Sequence, residues 1–238
     1  FKFYDRQNIK KYNLVLCNSF YSKEYIKRAY RIEARVHYLG TDTEKFRPLD
    51  NVNKENVVIS VGHLEPRKGH DFLIYVLARI SSFLRPRMVI VYPYDSEWHK
   101  EYGRYLQELA QKNKVEIDLF SGISDEELVN LYNRAKLTLC AFFREPFGLV
   151  PLESMACGTP VVAVKEGGLM ESVAHNKTGV LVDRDIDKFS QAVDYLLRND
   201  KIREEMGKIG RQYVLERWHW DISVKALHKV FLELINNG

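Results

Sequence analysis

Two glutamates with seven residues between them, Glu145 and Glu153, are the positions at which this chain could do carbohydrate chemistry. Pro146 and Gly148 disfavour a helix directly after Glu145, and Pro151 is tolerated only in the first turn of a helix. We therefore expect a helix that begins near Gly148, with Glu145 in the loop before it and Glu153 on it. Each carboxylate could accept paired hydrogen bonds from the vicinal hydroxyls of a ribose or a hexose. The alternative is that Glu153 pairs with a nearby cation and that Glu145 is solvated.

The expected start of that helix is itself a candidate anion site. The backbone N–H groups of Gly148, Leu149 and Val150 would lack partners within the helix, and they would stand at the positive end of its dipole. A diphosphate is the kind of ligand that such a helix start binds.

The surrounding sequence indicates a Rossmann-like α/β fold, because short β-branched runs alternate with amphipathic stretches, as in a mostly parallel sheet with helices on both faces. The predicted strands are Leu14–Cys17, Val36–Leu39, Val57–Gly62, Met88–Tyr92, Val115–Phe120, Leu137–Ala141, Pro160–Val164 and Val180–Val182. The predicted helices include Asp71–Phe83, Glu97–Lys112, Asp125–Arg134 and Asp187–Leu197. Ser124 and Glu127 are placed to form a capping box at the third of these helices. Such sheets bind ligands at the carboxyl ends of their strands, and the loop with Glu145 follows one of them.

Residues 145–164 closely resemble the Glu-x7-Glu signature of the retaining glycosyltransferases of family 4, which have the two-domain GT-B architecture. The resemblance covers nearly the whole chain and identifies it as the C-terminal, donor-binding half of such an enzyme. Further segments match the family in the same order: Gly40–Phe46, Val61–Gly69, Ser121–Gly122, Gly167–Gly168 with Glu171, Thr178–Gly179 and Arg217–Asp221.

This resemblance implies transfer of a hexose from a nucleoside-diphosphate sugar to an acceptor, with retention of the anomeric configuration. Glu153 would bind the ribose, and Glu145 would face the transferred sugar and help to orient it. Lys68 would neutralise the departing diphosphate, the charge that cleavage must stabilise; the alternative is a solvated lysine before a helix. The candidate catalytic residues are therefore Glu145 and Lys68. The candidate donor-binding residues are His63, Arg67, Lys68, Gly122, Ile123, Glu145, Phe147, Gly148, Leu149, Val150 and Glu153.

One position departs from the family pattern. His63 stands where the family usually has an arginine after the glycine that follows the strand. A histidine is charged only near or below about pH 6.5, and it lacks the planar donor fork of a guanidinium. Arg67, close by in the sequence, is the candidate to replace that arginine.

Asp183, Asp185 and Asp187 form two Asp-x-Asp spacings, which hold a metal–diphosphate in another glycosyltransferase architecture. Here they stand between a short strand and a helix, where aspartate favours capping, and capping is the preferred interpretation. The GT-B resemblance implies no cofactor beyond the sugar nucleotide and no essential metal.

The composition is that of an ordinary globular protein, with 45% hydrophobic and 29% charged residues among 238. No apolar run approaches the length of a transmembrane span, and no secretory signal opens the chain. The three cysteines share no metal-like spacing and are interpreted as buried, reduced thiols of an intracellular protein: Cys17, Cys140 and Cys157. We therefore expect a cytoplasmic location.

The net charge of +4 is unevenly spread, because lysines and arginines outnumber acids near the start of the chain. A basic face could contact anionic lipid at the cytoplasmic face of a membrane, or nucleic acid. A solvated helix surface is the simpler interpretation. No sequence signature of a nucleic-acid-binding module occurs, so we do not expect nucleic acid as a partner.

The chain divides into three predicted parts. Residues 1–34 contain one strand and two helices, too few for a sheet, and are interpreted as a remnant of the acceptor-side N-terminal domain. Residues 35–217 form the nucleotide-sugar-binding domain, and residues 218–238 a helix that crosses back to the first domain. The chain begins with Phe1 rather than Met, which we interpret as part of a longer polypeptide. A glycan or lipid-linked acceptor would bind the missing domain, so we expect this chain to be catalytically incomplete and to self-associate through exposed apolar surface.

Other functions share parts of this pattern. A GT-B relative that acts as a nucleotide-sugar epimerase would lack a sugar acceptor, but the residues around Glu145 and Gly148 favour a transferase. A non-catalytic nucleotide-sugar-binding domain is the other alternative, with His63 as its one indication. The base and sugar of the donor are not identified by any side chain.

Overall fold

The structure is a computed structural model that describes residues 7–236. Its strands are β1 Leu16–Cys17, β2 Arg35–Val36, β3 Val57–Val61, β4 Arg87–Tyr92, β5 Ile117–Ser121, β6 Leu137–Cys140, β7 Val161–Val164 and β8 Gly179–Val182. The last six form one parallel sheet in the order β5-β4-β3-β6-β7-β8. The strand order reverses between β3 and β6, which in open α/β sheets is where a ligand crevice forms.

Nine α-helices lie entirely within residues 9–236, with short 3₁₀ turns at Ile9–Lys11 and Pro66–Lys68. The helices are α1 Phe20–Tyr30, α2 His70–Ala78, α3 Glu97–Lys112, α4 Asp125–Arg134, α5 Leu149–Ala156, α6 Leu169–Ser172, α7 Ile186–Arg198, α8 Asp200–Arg217 and α9 Trp220–Asn236. Among these helices, α5 packs on α8, and α2 packs on α7 and α3.

The core runs through the centre of the sheet. Every residue of β6 and β7 is buried, as are four of the five residues of β3. Strands covered by helices on both faces read as continuous apolar runs, which is why these segments show no alternation with polar residues. The predicted α/β fold with a parallel, helix-flanked sheet is confirmed.

Local signals in the sequence predict several element boundaries correctly. The capping box at α4 is present, since Ser124 Oγ accepts from Glu127 N and the Glu127 carboxylate accepts from Ser124 N. The helix predicted as Asp71–Phe83 instead ends at Ala78. The Arg85 guanidinium donates to the carbonyls of Ala78 and Ile80, so a side chain seven residues beyond the last helical residue satisfies its C-terminus.

The segment before residue 35 differs from its prediction in one respect. Its strand β1 does form a small parallel sheet, because Leu16 pairs with Arg35 and Cys17 with Val36. The second strand is therefore Arg35–Val36 rather than Val36–Leu39. The terminal helix begins at Trp220, and Trp218 caps α8 instead.

Helices α1 and α9 are weakly packed. Helix α1 has no buried residue among its described side chains, and α9 buries only Ser223 and Val230. The exposed apolar side chains of α9 are Trp220, Ile222, Val224, Phe231, Leu232, Leu234 and Ile235. None of the helices within residues 7–236 is both long and apolar enough to cross a membrane.

The three cysteines are free, and Cys140 and Cys157 are buried, as predicted. Cys17, also predicted to be buried, is only partly so, because it lies on the short strand β1 outside the main sheet. Burial raises the pKa of the Cys157 thiol to about 12, so this group stays protonated and unreactive at neutral pH.

Candidate functional site

Lys68 and Glu145 meet at the ends of β3 and β6, between which the strand order of the sheet reverses. Lys68 ends the 3₁₀ turn that follows β3, and Glu145 lies in the loop after β6, the strand beside β3. The Lys68 Nζ lies 2.7 Å from Glu145 Oε2, and 4.5 Å from the centroid of the Phe142 ring. Only 17% of the lysine side chain and 20% of the glutamate side chain are exposed. The two predicted catalytic residues therefore form one largely buried ion pair.

Close backbone packing holds the two loops together. Phe143 N donates to Arg67 O at 2.7 Å. Gly69 has a left-handed φ of 67°, and a Cβ there would lie 2.4 Å from Ala141 O. Only glycine allows the turn after Lys68 to approach the end of β6 so closely.

A cavity of about 230 Å³ opens beside the ion pair. Six of the predicted site residues line it: Lys68, Glu145, Phe147, Gly148, Leu149 and Val150. Asn18 and Leu39, from outside the glycosyltransferase signature, line it as well. Helix α5 begins at this wall with Gly148 at φ 99°, and no side chain caps it. The cavity therefore combines a cation, a carboxylate and an uncapped helix N-terminus, which suits a phosphorylated sugar ligand.

A pair of glycines holds the Glu145 loop in place. Gly168 N donates to Glu145 O at 2.8 Å, and a Cβ on Gly168 would lie 2.3 Å from Phe147 Cα. Gly167 has φ 58°, and a Cβ there would lie 2.4 Å from Glu145 O. The sequence shows this Gly-Gly pair only as a motif. In the structure, the absence of side chains at Gly167 and Gly168 allows the Glu145 loop to pack directly against their backbone.

Glu153 lies on α5, one turn beyond the helix start, and is mostly buried. Its carboxylate accepts from the Tyr132 hydroxyl at 3.0 Å, and no lysine or arginine among residues 7–236 forms an ion pair with it. Burial raises the pKa of Glu153 above its ordinary value, and the Tyr132 hydrogen bond acts in the opposite direction. Glu153 does not line the 230 Å³ cavity. It is a mostly buried carboxylate that Lys45 influences only through its charge, without the direct pairing raised as the alternative from the sequence.

His63 and Arg67 lie at the surface, away from the cavity lining. The His63 ring packs against the rings of Tyr94 and His99. Arg67 pairs with Glu65 at 2.8 Å, with 69% of its side chain exposed. Neither side chain is among the residues that line the 230 Å³ cavity.

The remaining predicted residues occupy different surroundings. Gly122, with φ 59°, and Ile123 follow β5, at the outer edge of the sheet. The Phe147 ring is only 2% exposed and packs against Tyr38 and Trp218 at centroid distances of 5.8 and 5.4 Å. The ring of Phe147 thus contributes to packing behind the loop, while the residue still forms part of the cavity wall.

Of the three aspartates in the Asp-x-Asp spacings, Asp185 caps a helix, as the sequence predicts, whereas Asp183 and Asp187 form ion pairs. Asp185 Oδ1 accepts from Lys188 N at 2.8 Å and caps α7. Asp183 pairs with Lys188 Nζ at 2.8 Å. In the part of the chain that the structure describes, no three histidine, cysteine, aspartate or glutamate residues cluster as metal ligands would.

The site also involves residues that sequence reasoning missed. Glu171 accepts hydrogen bonds from Phe20 N and Tyr21 N, both at 2.9 Å, and from the Tyr38 hydroxyl at 2.7 Å. Ser19 Oγ donates to Pro146 O at 2.5 Å. The start of α1 is thus attached to the Glu145 loop. Glu171 already stood out as a motif residue, but no sequence signal named its partner more than a hundred positions away.

The sequence profile of the family described as Glycosyl transferases group 1 matches residues 41–213. Among curated relatives, the D-inositol 3-phosphate glycosyltransferase of Corynebacterium jeikeium is 41% identical over 219 residues, which are 84% of this chain and 52% of that protein. The GDP-mannose-dependent alpha-(1-6)-phosphatidylinositol monomannoside mannosyltransferase of Mycobacterium tuberculosis is 30% identical over 225 residues, 85% of this chain and 57% of that protein. The chain spans about half the length of the curated relatives it matches.

Solved structures share the fold. The sucrose-phosphate synthase of Thermosynechococcus elongatus superposes with a TM-score of 0.88 at 25% identity, over 100% of this chain and 62% of that one. Anabaena Alr3699/HepE in complex with UDP-glucose has a TM-score of 0.81 at 22% identity, over 92% of this chain and 64% of that one. The family profile, the curated relatives and the shared GT-B fold agree. This chain belongs to the glycosyl transferases group 1, a family of GT-B glycosyltransferases.

Proposed function

We propose that this chain is the donor-binding half of a retaining hexosyltransferase and that it binds a nucleoside-diphosphate sugar. The observation that carries the proposal is the Lys68–Glu145 ion pair in the wall of a cavity whose other wall is the uncapped start of α5. A diphosphate needs positive partners and a sugar needs a hydroxyl acceptor, and this cavity offers both within one small volume.

Cleavage of the donor breaks the bond between the anomeric carbon and a phosphate oxygen, and the bonding electrons leave with the diphosphate. The charge that develops there is stabilised by the Lys68 ammonium and by the amides of Gly148, Leu149 and Val150. Glu145 orients the sugar through its hydroxyls. Retention of the anomeric configuration is supported by the resemblance of residues 145–164 to the family 4 signature, and we propose that the reaction needs no metal ion and no further cofactor.

Glu153 is proposed to bind the ribose hydroxyls of the nucleotide. Its carboxylate has the Tyr132 hydroxyl as one partner, which leaves further lone pairs for two neighbouring hydroxyls. The mostly buried surroundings, in which no cation among residues 7–236 pairs directly with the carboxylate, make these hydrogen bonds stronger than they would be in water. His63, Arg67, Gly122 and Ile123 are proposed as further donor contacts, which require side-chain movement toward the ligand in the case of His63 and Arg67.

The acceptor is proposed to bind a part of the whole protein that this chain does not contain. Curated relatives are about twice as long, and their names include glycosyl acceptors of the inositol phosphate and phosphatidylinositol type. We propose a glycan or lipid-linked acceptor, a cytoplasmic location and contact with the cytoplasmic face of a membrane, and no nucleic-acid partner. The exposed apolar side chains of α9 would make this chain self-associate and would be covered by the acceptor-side domain.

A thermal-shift panel with UDP, GDP, ADP and the corresponding glucose or mannose derivatives tests the proposal. A ligand present at 100 times its Kd stabilises the folded state by about 2.7 kcal/mol, which is a shift of several degrees. We expect one nucleotide family to raise the melting temperature of this chain, without transfer to an acceptor. The Lys68→Met variant serves as the matched control and should show a smaller shift. No shift with any of these ligands, for protein that unfolds cooperatively, contradicts the proposal.

A further inference from the structure

The N-terminal segment contributes a side chain to the donor cavity. Asn18, which precedes α1, lines that cavity together with Lys68 and Glu145. Its Oδ1 accepts from Ser22 Oγ at 2.9 Å, which fixes the orientation of the amide. Its Nδ2 has no hydrogen-bond partner among residues 7–236. A half-buried amide with one end held and two free N–H donors is available to a ligand.

The position of Asn18 is set by its neighbour, Ser19. The Ser19 side chain is fully buried, accepts from Ser22 N at 2.9 Å and donates to Pro146 O. Pro146 directly follows Glu145 in the loop. Asn18 is therefore tied to the backbone of the loop that presents the glutamate, although the two residues are 127 positions apart in the sequence.

Glu171 provides the second attachment. Its two carboxylate oxygens accept from the first two amides of α1, Phe20 N and Tyr21 N, which no intrahelical carbonyl can satisfy. The Tyr38 hydroxyl donates to the same carboxylate at 2.7 Å. Burial and the neighbouring carboxylate raise the pKa of Tyr38 well above its ordinary value, so it remains a protonated donor. One acidic side chain of the donor domain thus holds the start of the acceptor-side helix.

The chemistry of the amide indicates which part of the donor it meets. The diphosphate is matched by Lys68 and by the start of α5, whereas a neutral amide suits a neutral hydroxyl. Asn18 and Glu145 line the same cavity, and Glu145 is the residue proposed to orient the sugar. Resting on the proposed function, we propose that Asn18 donates a hydrogen bond to a hydroxyl of the donor sugar, and that Glu171 is the positioning residue that holds Asn18 there.

Isothermal calorimetry on this chain tests the contact. The probes are UDP, GDP and ADP, each compared with its sugar derivative: UDP-glucose, GDP-mannose and ADP-glucose. We expect Asn18→Ala to weaken the sugar nucleotide about five- to tenfold, the effect of one hydrogen bond, and to change the diphosphate less than twofold. Asn18→Asp keeps the acceptor for Ser22 but loses the N–H donors, so it should lose affinity at least as strongly. Asn13→Ala, an exposed substitution in the same segment, is the control and should have no effect.

The role of Glu171 is tested by non-additivity. Glu171→Gln replaces one of two acceptor oxygens with an NH₂ group, which faces a backbone N–H of α1 and should disturb its start. We expect about a fivefold loss of sugar-nucleotide affinity in the wild-type background and little further loss in the Asn18→Ala background. A purely structural role would instead give the same loss in both backgrounds and for the diphosphate. Glu166→Gln, at a carboxylate bound to Arg184 in the preceding loop, is the matched control.

The outcomes separate this inference from the proposed function. If the unaltered chain binds none of the diphosphates or sugar nucleotides, the proposed function fails and the inference fails with it. If it binds them and both Asn18 variants bind the sugar nucleotide like wild type, the inference alone is wrong. Equal losses for diphosphate and sugar nucleotide also overturn it, because Asn18 would then act on the nucleotide or on the fold.

Discussion

The ammonium group of Lys68 lies 2.7 Å from the carboxylate of Glu145, across 77 positions of sequence and two neighbouring strands. The Glu145 carboxylate therefore neutralises the cation proposed to receive the leaving diphosphate. A bound diphosphate must share or replace this partner, so the ion pair couples recognition of the phosphate to the position of the sugar-orienting glutamate.

Removal of the lysine should weaken diphosphate binding and leave a carboxylate without its partner. We expect Lys68→Met to reduce nucleoside-diphosphate affinity by about 1.5–3 kcal/mol, because a charge-assisted contact is lost. Urea unfolding should show a destabilisation of about 1–3 kcal/mol, part of which Glu145→Gln in the same chain restores. Lys188→Met, at the exposed pair with Asp183, is the control and should change stability by less than about 1 kcal/mol. Equal destabilisation by the two lysine variants would contradict a special role for the buried pair.

Glu145 should matter for the sugar more than for the nucleotide. In Glu145→Ala, Lys68 loses its competing anion, so we expect nucleoside-diphosphate affinity to be unchanged or higher. The sugar nucleotide should lose its advantage over the diphosphate, by about tenfold for one lost charged hydrogen bond. Calorimetry with both ligands measures this ratio. A parallel loss for the two ligands would show that Glu145 acts on the phosphate or on folding.

We expect the ionised carboxylate of Glu153 to lower the folding stability at neutral pH and to strengthen nucleotide binding. Its pKa is raised in the folded state, so its contribution favours folding below the ordinary value of 4.5 and is lost as pH rises through the raised pKa. Glu153→Gln should therefore raise the melting temperature at pH 7–8 and have little effect near pH 4. The same variant should bind nucleotide more weakly by about 1–3 kcal/mol, because a neutral amide accepts ribose hydroxyls less strongly. Thermal melts across pH, with and without nucleotide, check both statements; a variant that binds normally would remove the ribose role.

The packing of Gly167 and Gly168 against the Glu145 loop leads to a prediction that does not depend on charge. In Gly168→Ala the new Cβ would lie 2.3 Å from Phe147 Cα, so the Glu145 loop must move. We expect a destabilisation of about 1–3 kcal/mol together with weaker sugar-nucleotide binding. Gly103→Ala in α3 is the control: its Cβ would meet only the flexible ends of Leu119 and Leu64, and alanine favours helix. Normal donor binding by a folded Gly168→Ala protein would show that the loop position is not decisive.

His63 tests the departure from the family pattern. Since Arg67 is engaged with Glu65, an additional guanidinium at position 63 should reach the phosphates without competition. We expect His63→Arg to tighten diphosphate binding at pH 8 by about two- to fivefold, the range of an exposed charge contact. The effect should shrink as salt rises, because the contact lies at the surface. No change at low salt would mean that Lys68 and the α5 amides bind the phosphates alone.

Much of the fold follows from local signals. Buried parallel strands read as apolar runs, and Ser124 with Glu127 marks a helix start because the capping hydrogen bonds are made within four residues. Pro146 and Pro151 help to place the start of α5 because proline restricts its own backbone, and Gly148 does so because it tolerates the φ of 99° before the helix. These properties depend on neighbours in the chain, so the sequence by itself determines them, together with the family to which the chain belongs.

The site is different, since its contacts join residues far apart. That Lys68 pairs with Glu145 depends on β3 lying beside β6, a consequence of strand order. That Phe147 turns its ring toward Trp218, and that Glu171 caps α1, depends on how separate segments pack. A residue type shows which hydrogen bonds or ion pairs a side chain could form. Hydrogen bonds require a partner at a short distance and in a defined direction, so only the tertiary structure decides which partner the side chain meets.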